Sequence, residues 1–217
     1  MATETELKLL LAPAALERLS RHPLLSAADG QPPVPLLSTY YDTPTLELAE
    51  ARVALRVRRQ GERFIQTLKT QGQSSAGLHR RGEWEWELEG ERLDPALLAA
   101  EVWPAELPPP EQLALMALFT TEFERRLWWL RFQGAEIEVA LDHGEVVCNC
   151  PDGRRLTDPI SELELELKSG PTEPLFALAQ RLGEQVELRP GAISKAQRGY
   201  RLFSRCREHA MDHTGGA

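Results

Sequence analysis

The chain has 217 residues, 42% of them hydrophobic, and its 33 Asp and Glu outnumber 25 Lys and Arg to give a formal net charge of −8. That length and apolar content support one large domain with a proper core, while the acidic balance argues against a general nucleic-acid binder, which carries a basic face. No uninterrupted apolar run reaches about 18 residues, so no membrane span is expected, and the acidic start does not resemble a signal peptide. The expected location is cytoplasmic. Cys148, Cys150 and Cys206 make no disulfide framework, and their odd number fits a reducing compartment. Cys148 and Cys150 lack the second ligand pair that a structural zinc site needs.

In chain order, residues 3–11 read as a strand. Pro13 then sits where a helix through about residue 21 begins. Residues 26–35 read as a loop and 36–42 as a strand ended by Asp42-Thr43-Pro44. Residues 51–59 and 63–70 form a hairpin around Gln60-Gly61-Glu62. A loop over 72–77 precedes a clearly alternating strand at 83–89. Asp94 before Pro95 predicts a cap and a short helix to about residue 101, and residues 111–119 read as a second helix after three prolines. Strands are expected at 120–132, 136–141, 145–150 and 159–168, with a tight turn at 142–144. Residues 172–184 form an amphipathic helix. Ser194 and Gln197 form a capping box opening the last helix, with Lys195 in its first turn, before a tail at 209–217.

Across these strands charged residues recur two apart: Glu4, Glu6 and Lys8; Arg56 and Arg58; Glu83, Glu85 and Glu87; Glu162, Glu164 and Glu166. Side chains two apart on a strand share a face about 7 Å apart. Carboxylates so placed suit a hard cation that keeps several waters, and interleaved Arg and Lys suit phosphate oxygens. The opposite faces carry Leu7 and Leu9, Trp84 and Trp86, and Leu163, Leu165 and Leu167. A half-buried sheet satisfies that pattern, and so does a barrel with a polar interior and helices packed outside. Trp84, Trp86, Trp128 and Trp129 are expected to pack under such helices. No phosphate-binding Walker loop, nucleophile elbow or paired-His zinc motif is present.

Glu4, Glu6 and Lys8 are followed in order by Arg56 and Arg58 in ALRVRR, Lys69 in TLKT, Glu85 in GEWEWEL, Arg125 in TEFERR, Asp142 in ALDHGEV, the run Glu162 to Glu166, and Lys195 in SKAQRGY. On these residues the chain resembles the CYTH, or triphosphate tunnel metalloenzyme, superfamily over nearly its full length, and looks most like the bacterial inorganic triphosphatases. The resemblance implies an α+β fold in which a closed antiparallel eight-stranded barrel with a polar interior is surrounded by helices, spanning residues 1–208. It implies Mg²⁺ or Mn²⁺ held by Glu4, Glu6, Asp142, Glu162, Glu164 and Glu166. Lys8, Arg56, Arg58, Lys69, Glu85, Arg125 and Lys195 would bind the substrate, with Glu4, Glu6, Lys8, Arg56 and Arg58 as the catalytic group. The implied reaction is hydrolysis of inorganic triphosphate, or of another triphosphate or polyphosphate, to pyrophosphate and phosphate by water rather than by a side-chain nucleophile. Thiamine triphosphatase, adenylate cyclase and a non-catalytic polyphosphate- or nucleotide-binding module are the alternatives. In the bacterial triphosphatases the tunnel domain often precedes a helical CHAD domain, so the expectation is either a stand-alone tunnel protein or such a domain beyond Ala217. No nucleic acid or membrane partner is implied.

Overall fold

The computed structural model describes residues 2–70, 72–98 and 102–214. Eight antiparallel strands carry the architecture: β1 (Ala2–Leu10), β2 (Val34–Asp42), β3 (Ala54–Gln60), β4 (Arg63–Lys69), β5 (Leu78–Leu88), β6 (Met116–Phe132), β7 (Ala135–Asn149) and β8 (Arg155–Ser169). They run around a ring in the order β1-β8-β7-β6-β2-β3-β4-β5, and β5 pairs back onto β1, with Ala2 opposite Glu83 and Leu7 opposite Leu78. Closure leaves the ring without an edge. Two-residue strands at Asp29–Gly30 and Arg189–Pro190 and a short one at Gln73–Ser75 attach to it.

The alternation read in the sequence decides which side faces in. On β1 and β8, Leu7, Leu9, Leu163 and Leu165 point outward and are buried under α4 (Glu173–Gly183), whose Leu175, Leu178 and Leu182 complete one core with Ile137, Val139 and Trp128. On the far side Leu55 and Leu68 pack with Leu48 of α3 (Glu47–Glu50), Trp103, and the partly buried Trp84 and Trp86. Trp84, Trp86 and Trp128 therefore pack as expected, whereas Trp129 remains 43% exposed. The barrel is inverted relative to an ordinary soluble one, with its apolar residues outside and its charges within. A third core lies against α5 (Lys195–Thr214), where Tyr40, Phe119, Phe123, Val146 and Ile160 meet Leu202 and Cys206. α5 lies close to β6 because residue 199 is glycine: a Cβ there would stand 1.9 Å from the Phe119 ring.

Several local expectations are corrected. The helix expected at 111–119 is a single 3-10 turn at Pro110–Gln112, after which β6 begins at Met116. Leu118 and Phe119 are both buried, and Phe119 stacks on Tyr40 of β2 at 4.8 Å, so two-sided burial and strand pairing override the helical pattern. No turn forms at 142–144. β7 runs unbroken through Asp142, His143 and Gly144, and Gly144 lies flat against Phe123, where a Cβ would meet the Glu122 carbonyl at 2.1 Å. The chain reverses instead at Gln133 and Gly134, both with positive φ, and near Gly153. The first helix is split into a 3-10 turn at Pro13–Ala15, α1 (Leu16–Ser20) and α2 (Pro23–Ser26). Asp94 does cap a short turn, accepting from the Ala96 N–H at 3.0 Å, while the expected end of that helix near residue 101 lies outside the described residues. α5 continues through Thr214, into the segment expected as tail. Cys150 and Cys206 form a disulfide, contrary to the expectation of unpaired cysteines. Distant in sequence, they meet because α5 crosses the end of β7.

Candidate active site

The interior charges are assembled strand by strand through register. Glu6 and Lys8 of β1 lie opposite Glu166 and Glu164 of β8; Glu162 lies opposite Asp142 of β7; Asp142 in turn lies opposite Arg125 of β6. Arg56 of β3 lies between Tyr40 of β2 and Thr67 of β4, and Lys69 lies opposite Glu83 of β5. Directly paired residues point to the same side of a sheet; of these, Glu6, Lys8, Tyr40, Arg56, Lys69, Glu83, Arg125, Glu164 and Glu166 line one cavity of about 1060 Å³, while Asp142, Glu162 and Thr67 are fully buried behind it.

One wall is acidic and densely compensated. Asp142, Glu162 and Glu164 each offer an oxygen within 4.8 Å of the others. Lys8 donates to Glu162 at 3.3 Å and lies 3.2 Å from Glu164. Lys195, from the first turn of α5, reaches Asp142 at 2.7 Å and Glu164 at 2.9 Å and also contacts Glu162. Arg125 grips Asp142 with two hydrogen bonds of 2.7 and 2.6 Å and donates to Glu164 at 2.5 Å. Burial raises carboxyl pKa values, but here Lys195, Lys8 and Arg125 outweigh it and hold Glu164 well below the usual range. Arg125 and Lys195 lower Asp142 in the same way against its burial. Glu162 is fully buried, and its Oε2 has no hydrogen-bond partner among the described residues; Arg198 stands 3.8 Å away.

Glu4 and Glu6 belong to a second acidic group. Arg81 joins them at 2.9 Å each, and Lys69 bridges Glu4 at 3.1 Å to Glu83 at 2.9 Å. Burial again opposes ionisation of Glu4, and Lys69 and Arg81 overcome it. At Glu83, burial and the neighbouring Glu4 prevail over Lys69, so its carboxyl pKa is raised. Glu166 stands in a third group, 2.7 Å from Lys168, which lies 3.7 Å from Glu138. The six acids expected around metal are thus distributed over three places, with only Asp142, Glu162 and Glu164 mutually close.

The opposite wall is different. Arg56 is buried, 3.4 Å from the Tyr40 hydroxyl and 3.9 Å from Glu83, and its Nε has no hydrogen-bond partner among the described residues. Arg58 donates to the Ser38 hydroxyl at 3.4 Å and has no ion pair with a carboxylate among the described residues. Burial, then the like charges of Arg56 and Arg125, push Arg58 down to about 10. It remains cationic near neutral pH and is poorly compensated. Glu85 accepts from Thr67 at 3.2 Å within the same cavity.

The phase of β6 separates its two arginines. Arg125 points in, whereas Arg126 lies 5.9 Å from the ring centre of Trp128 on the outer side. Sequence reading missed Arg81, Glu83 as a Lys69 partner, Glu138 and Lys168. Arg81 and Lys168 extend rows already visible, Arg81-Glu83-Glu85 and Glu162 through Lys168. Glu138 and Asp142, four apart on one strand, were separated by the supposed turn.

The closed strands and inward charges define a tunnel protein with facing cationic and acidic walls. The chain matches the CYTH domain family over residues 2–200 and belongs to that family. It is similar to the inorganic triphosphatase of Haemophilus influenzae, with 33% identity over 205 residues, covering 94% of this chain and 56% of that protein. The chain therefore spans little more than half the length of that curated relative. Among solved structures it resembles a proposed adenylyl cyclase from Hippeastrum described as having a dominant triphosphatase activity, with TM-score 0.65 and 17% identity, covering 93% and 95% of the two chains. A proposed adenylate cyclase from Bacillus halodurans gives TM-score 0.54 and 21% identity, covering 91% and 98%. At those identities the likeness is one of fold. No helix among the described residues is long and apolar enough to cross a membrane.

Proposed function

We propose that this chain hydrolyses inorganic triphosphate to pyrophosphate and phosphate, with Mg²⁺ or Mn²⁺ as its metal. The observation that carries this reading is the Arg56–Arg58 wall, where, among the described residues, a buried guanidinium Nε has no hydrogen-bond partner and a second guanidinium has no carboxylate ion pair. Leaving buried donors unsatisfied is costly, and a multiply charged anion would supply acceptors to both. The triphosphatase relative supports the choice of anion.

The acidic wall fits a divalent cation. Its donors are all carboxylate oxygens, three lie within 4.8 Å of one another, and Glu162 Oε2 has no hydrogen-bond partner among the described residues, with Arg198 3.8 Å away. Asp142, Glu162 and Glu164 would hold the ion, with Glu4, Glu6 and Glu166 as further carboxylates facing the cavity. A bound Mg²⁺ or Mn²⁺ would offset negative charge on the phosphate oxygens and favour ionisation of water.

The remaining work belongs to side chains. Arg56, Arg58 and Arg125 present planar donors to phosphate oxygens, while Lys8, Lys69 and Lys195 act as mobile point charges. In the unliganded arrangement those lysines and Arg125 neutralise the acids. Substrate and metal binding would exchange these pairs, so carboxylates turn to the cation and lysines to the phosphates. Glu85 is assigned to the substrate site, where its charge offsets only a small part of that on Arg56 and Arg58. Water attacks the terminal phosphorus and pyrophosphate departs. Because no side chain becomes covalently linked, the rate gain rests on positioning and charge stabilisation.

The test is phosphate release from inorganic triphosphate, thiamine triphosphate and ATP, each with Mg²⁺, Mn²⁺ or chelator. Rapid metal-dependent cleavage of the inorganic substrate is expected. Preference for thiamine triphosphate or ATP would replace the substrate assignment, and tight binding without turnover of any would leave a binding module.

A further inference from the structure

All three cysteines of the chain, Cys148, Cys150 and Cys206, meet at one place away from the charged cavity. Cys148 lies at the end of β7 and Cys150 just past it, both buried in the core against α5, while Asn149 between them is exposed. Cys206 of α5 is bonded to Cys150, and the free, buried thiol of Cys148 lies 3.5 Å from Cys206 Sγ. Residues two apart in an extended segment stand about 7 Å apart, at the limit of disulfide reach, whereas Cys206 Sγ touches both cysteines. Cys206 is therefore the partner available to both.

We propose that this cluster is a reversible thiol–disulfide modification site, in which Cys206 exchanges between Cys150 and Cys148 and clasps α5 to β7. The first bridge forms when two thiols, Cys150 and Cys206, reduce one small-molecule disulfide, which departs as two thiols. In the exchange, the Cys148 thiolate attacks Cys206 Sγ. The Cys206–Cys150 bond breaks, and its electron pair leaves on Cys150 Sγ, which takes up the proton released by Cys148. Cys150 is itself buried but is followed directly by the exposed turn at residues 151–153, the side from which a small reagent would approach. Burial raises the Cys148 thiol pKa, so the exchange is slow at neutral pH and quickens as pH rises. The closed loop has a sequence separation of 56, and the clasped helix carries Lys195 at its start.

The test uses the full chain equilibrated with oxidised or reduced glutathione, followed by alkylation, peptide mapping and thermal unfolding. Oxidised protein is expected to yield a Cys150–Cys206 peptide, and reduction to lower Tm by about 5–15 °C. In Cys150→Ser, oxidation should instead link Cys148 to Cys206 and retain most of the Tm gain; in Cys206→Ser, no internal bridge and no redox-dependent Tm shift should remain. Three free thiols in the unaltered protein under oxidised glutathione would overturn the proposal without requiring any variant to fold. So would Cys148 and Cys206 both remaining free in folded Cys150→Ser. These readouts are independent of triphosphate turnover.

Discussion

The two walls of the cavity contain similar side chains but differ in how their charges are satisfied. On the acidic wall, Asp142, Glu162 and Glu164 are knitted to Lys8, Lys195 and Arg125 by short contacts. Across the cavity, Arg56 retains a partnerless Nε and Arg58 faces Ser38 with no carboxylate in salt-bridge range among the described residues. A charge count would treat the walls as equivalent ion-pair surfaces. Pairing instead assigns the first a large part in holding the unliganded fold and the second a part in holding an anion.

The strongest way to break that contrast is to remove a cation from each wall. Lys195→Met leaves three buried carboxylates short of a partner and is expected to cost about 3–5 kcal/mol of stability, as loss of one member of a buried ion pair does. Arg58→Ala should leave the unliganded protein at least as stable, because it removes like-charge repulsion from Arg56 and Arg125. It should weaken triphosphate binding about 10- to 100-fold, the effect of losing a charge-assisted hydrogen bond. Denaturant unfolding with and without triphosphate measures both; equal loss of unliganded stability in the two variants would remove the distinction.

The pH dependence sharpens it further. Asp142 and Glu164 have lowered carboxyl pKa values in the folded state, so their stabilising contribution is present above their unfolded values and should fade as pH falls below about 4. Lys8 and Lys195 are raised despite the opposing effect of burial, through Glu162 and Glu164 for Lys8 and Asp142 and Glu162 for Lys195. Their contribution is full below about pH 10 and lost as pH rises through the folded values. A stability plateau between those limits is expected. Lys195→Met should reduce both shoulders, while Arg58→Ala should leave the acid shoulder unchanged. The smallest effect belongs to Arg63 and Glu87, whose exposed pair at 2.9 Å lies away from both walls. Arg63→Ala should produce no resolvable change in Tm or triphosphate binding.

Much of this division was already legible in the sequence. Period-two charge on β1, β3, β5 and β8, opposite leucines and tryptophans, put Glu4, Glu6 and Lys8, Arg56 and Arg58, and the three acids from Glu162 to Glu166 on one face of their strands, while the inward direction of that face was only what the family resemblance implied. Capping chemistry placed Lys195 in the first turn of α5, and the Ser194–Gln197 pair does close there, with the Gln197 N–H donating to Ser194 Oγ at 3.1 Å and the Ser194 N–H to Gln197 Oε1 at 2.9 Å. Local pattern failed where distant partners prevailed. Asp-His-Gly reads as a turn until Phe123 lies against Gly144, and residues 116–119 read as helix until β2 pairs with them. Strand phase also determined that Glu162, Glu164 and Glu166 share a face, but not their separate environments. Only strand pairing around the barrel and the approach of α5 brought Asp142, Lys8 and Lys195 to Glu162 and Glu164 and left Arg58 with no carboxylate ion pair among the described residues. Alternation is set by backbone geometry over a few residues, whereas charge pairing depends on ångström distances between strands far apart in sequence.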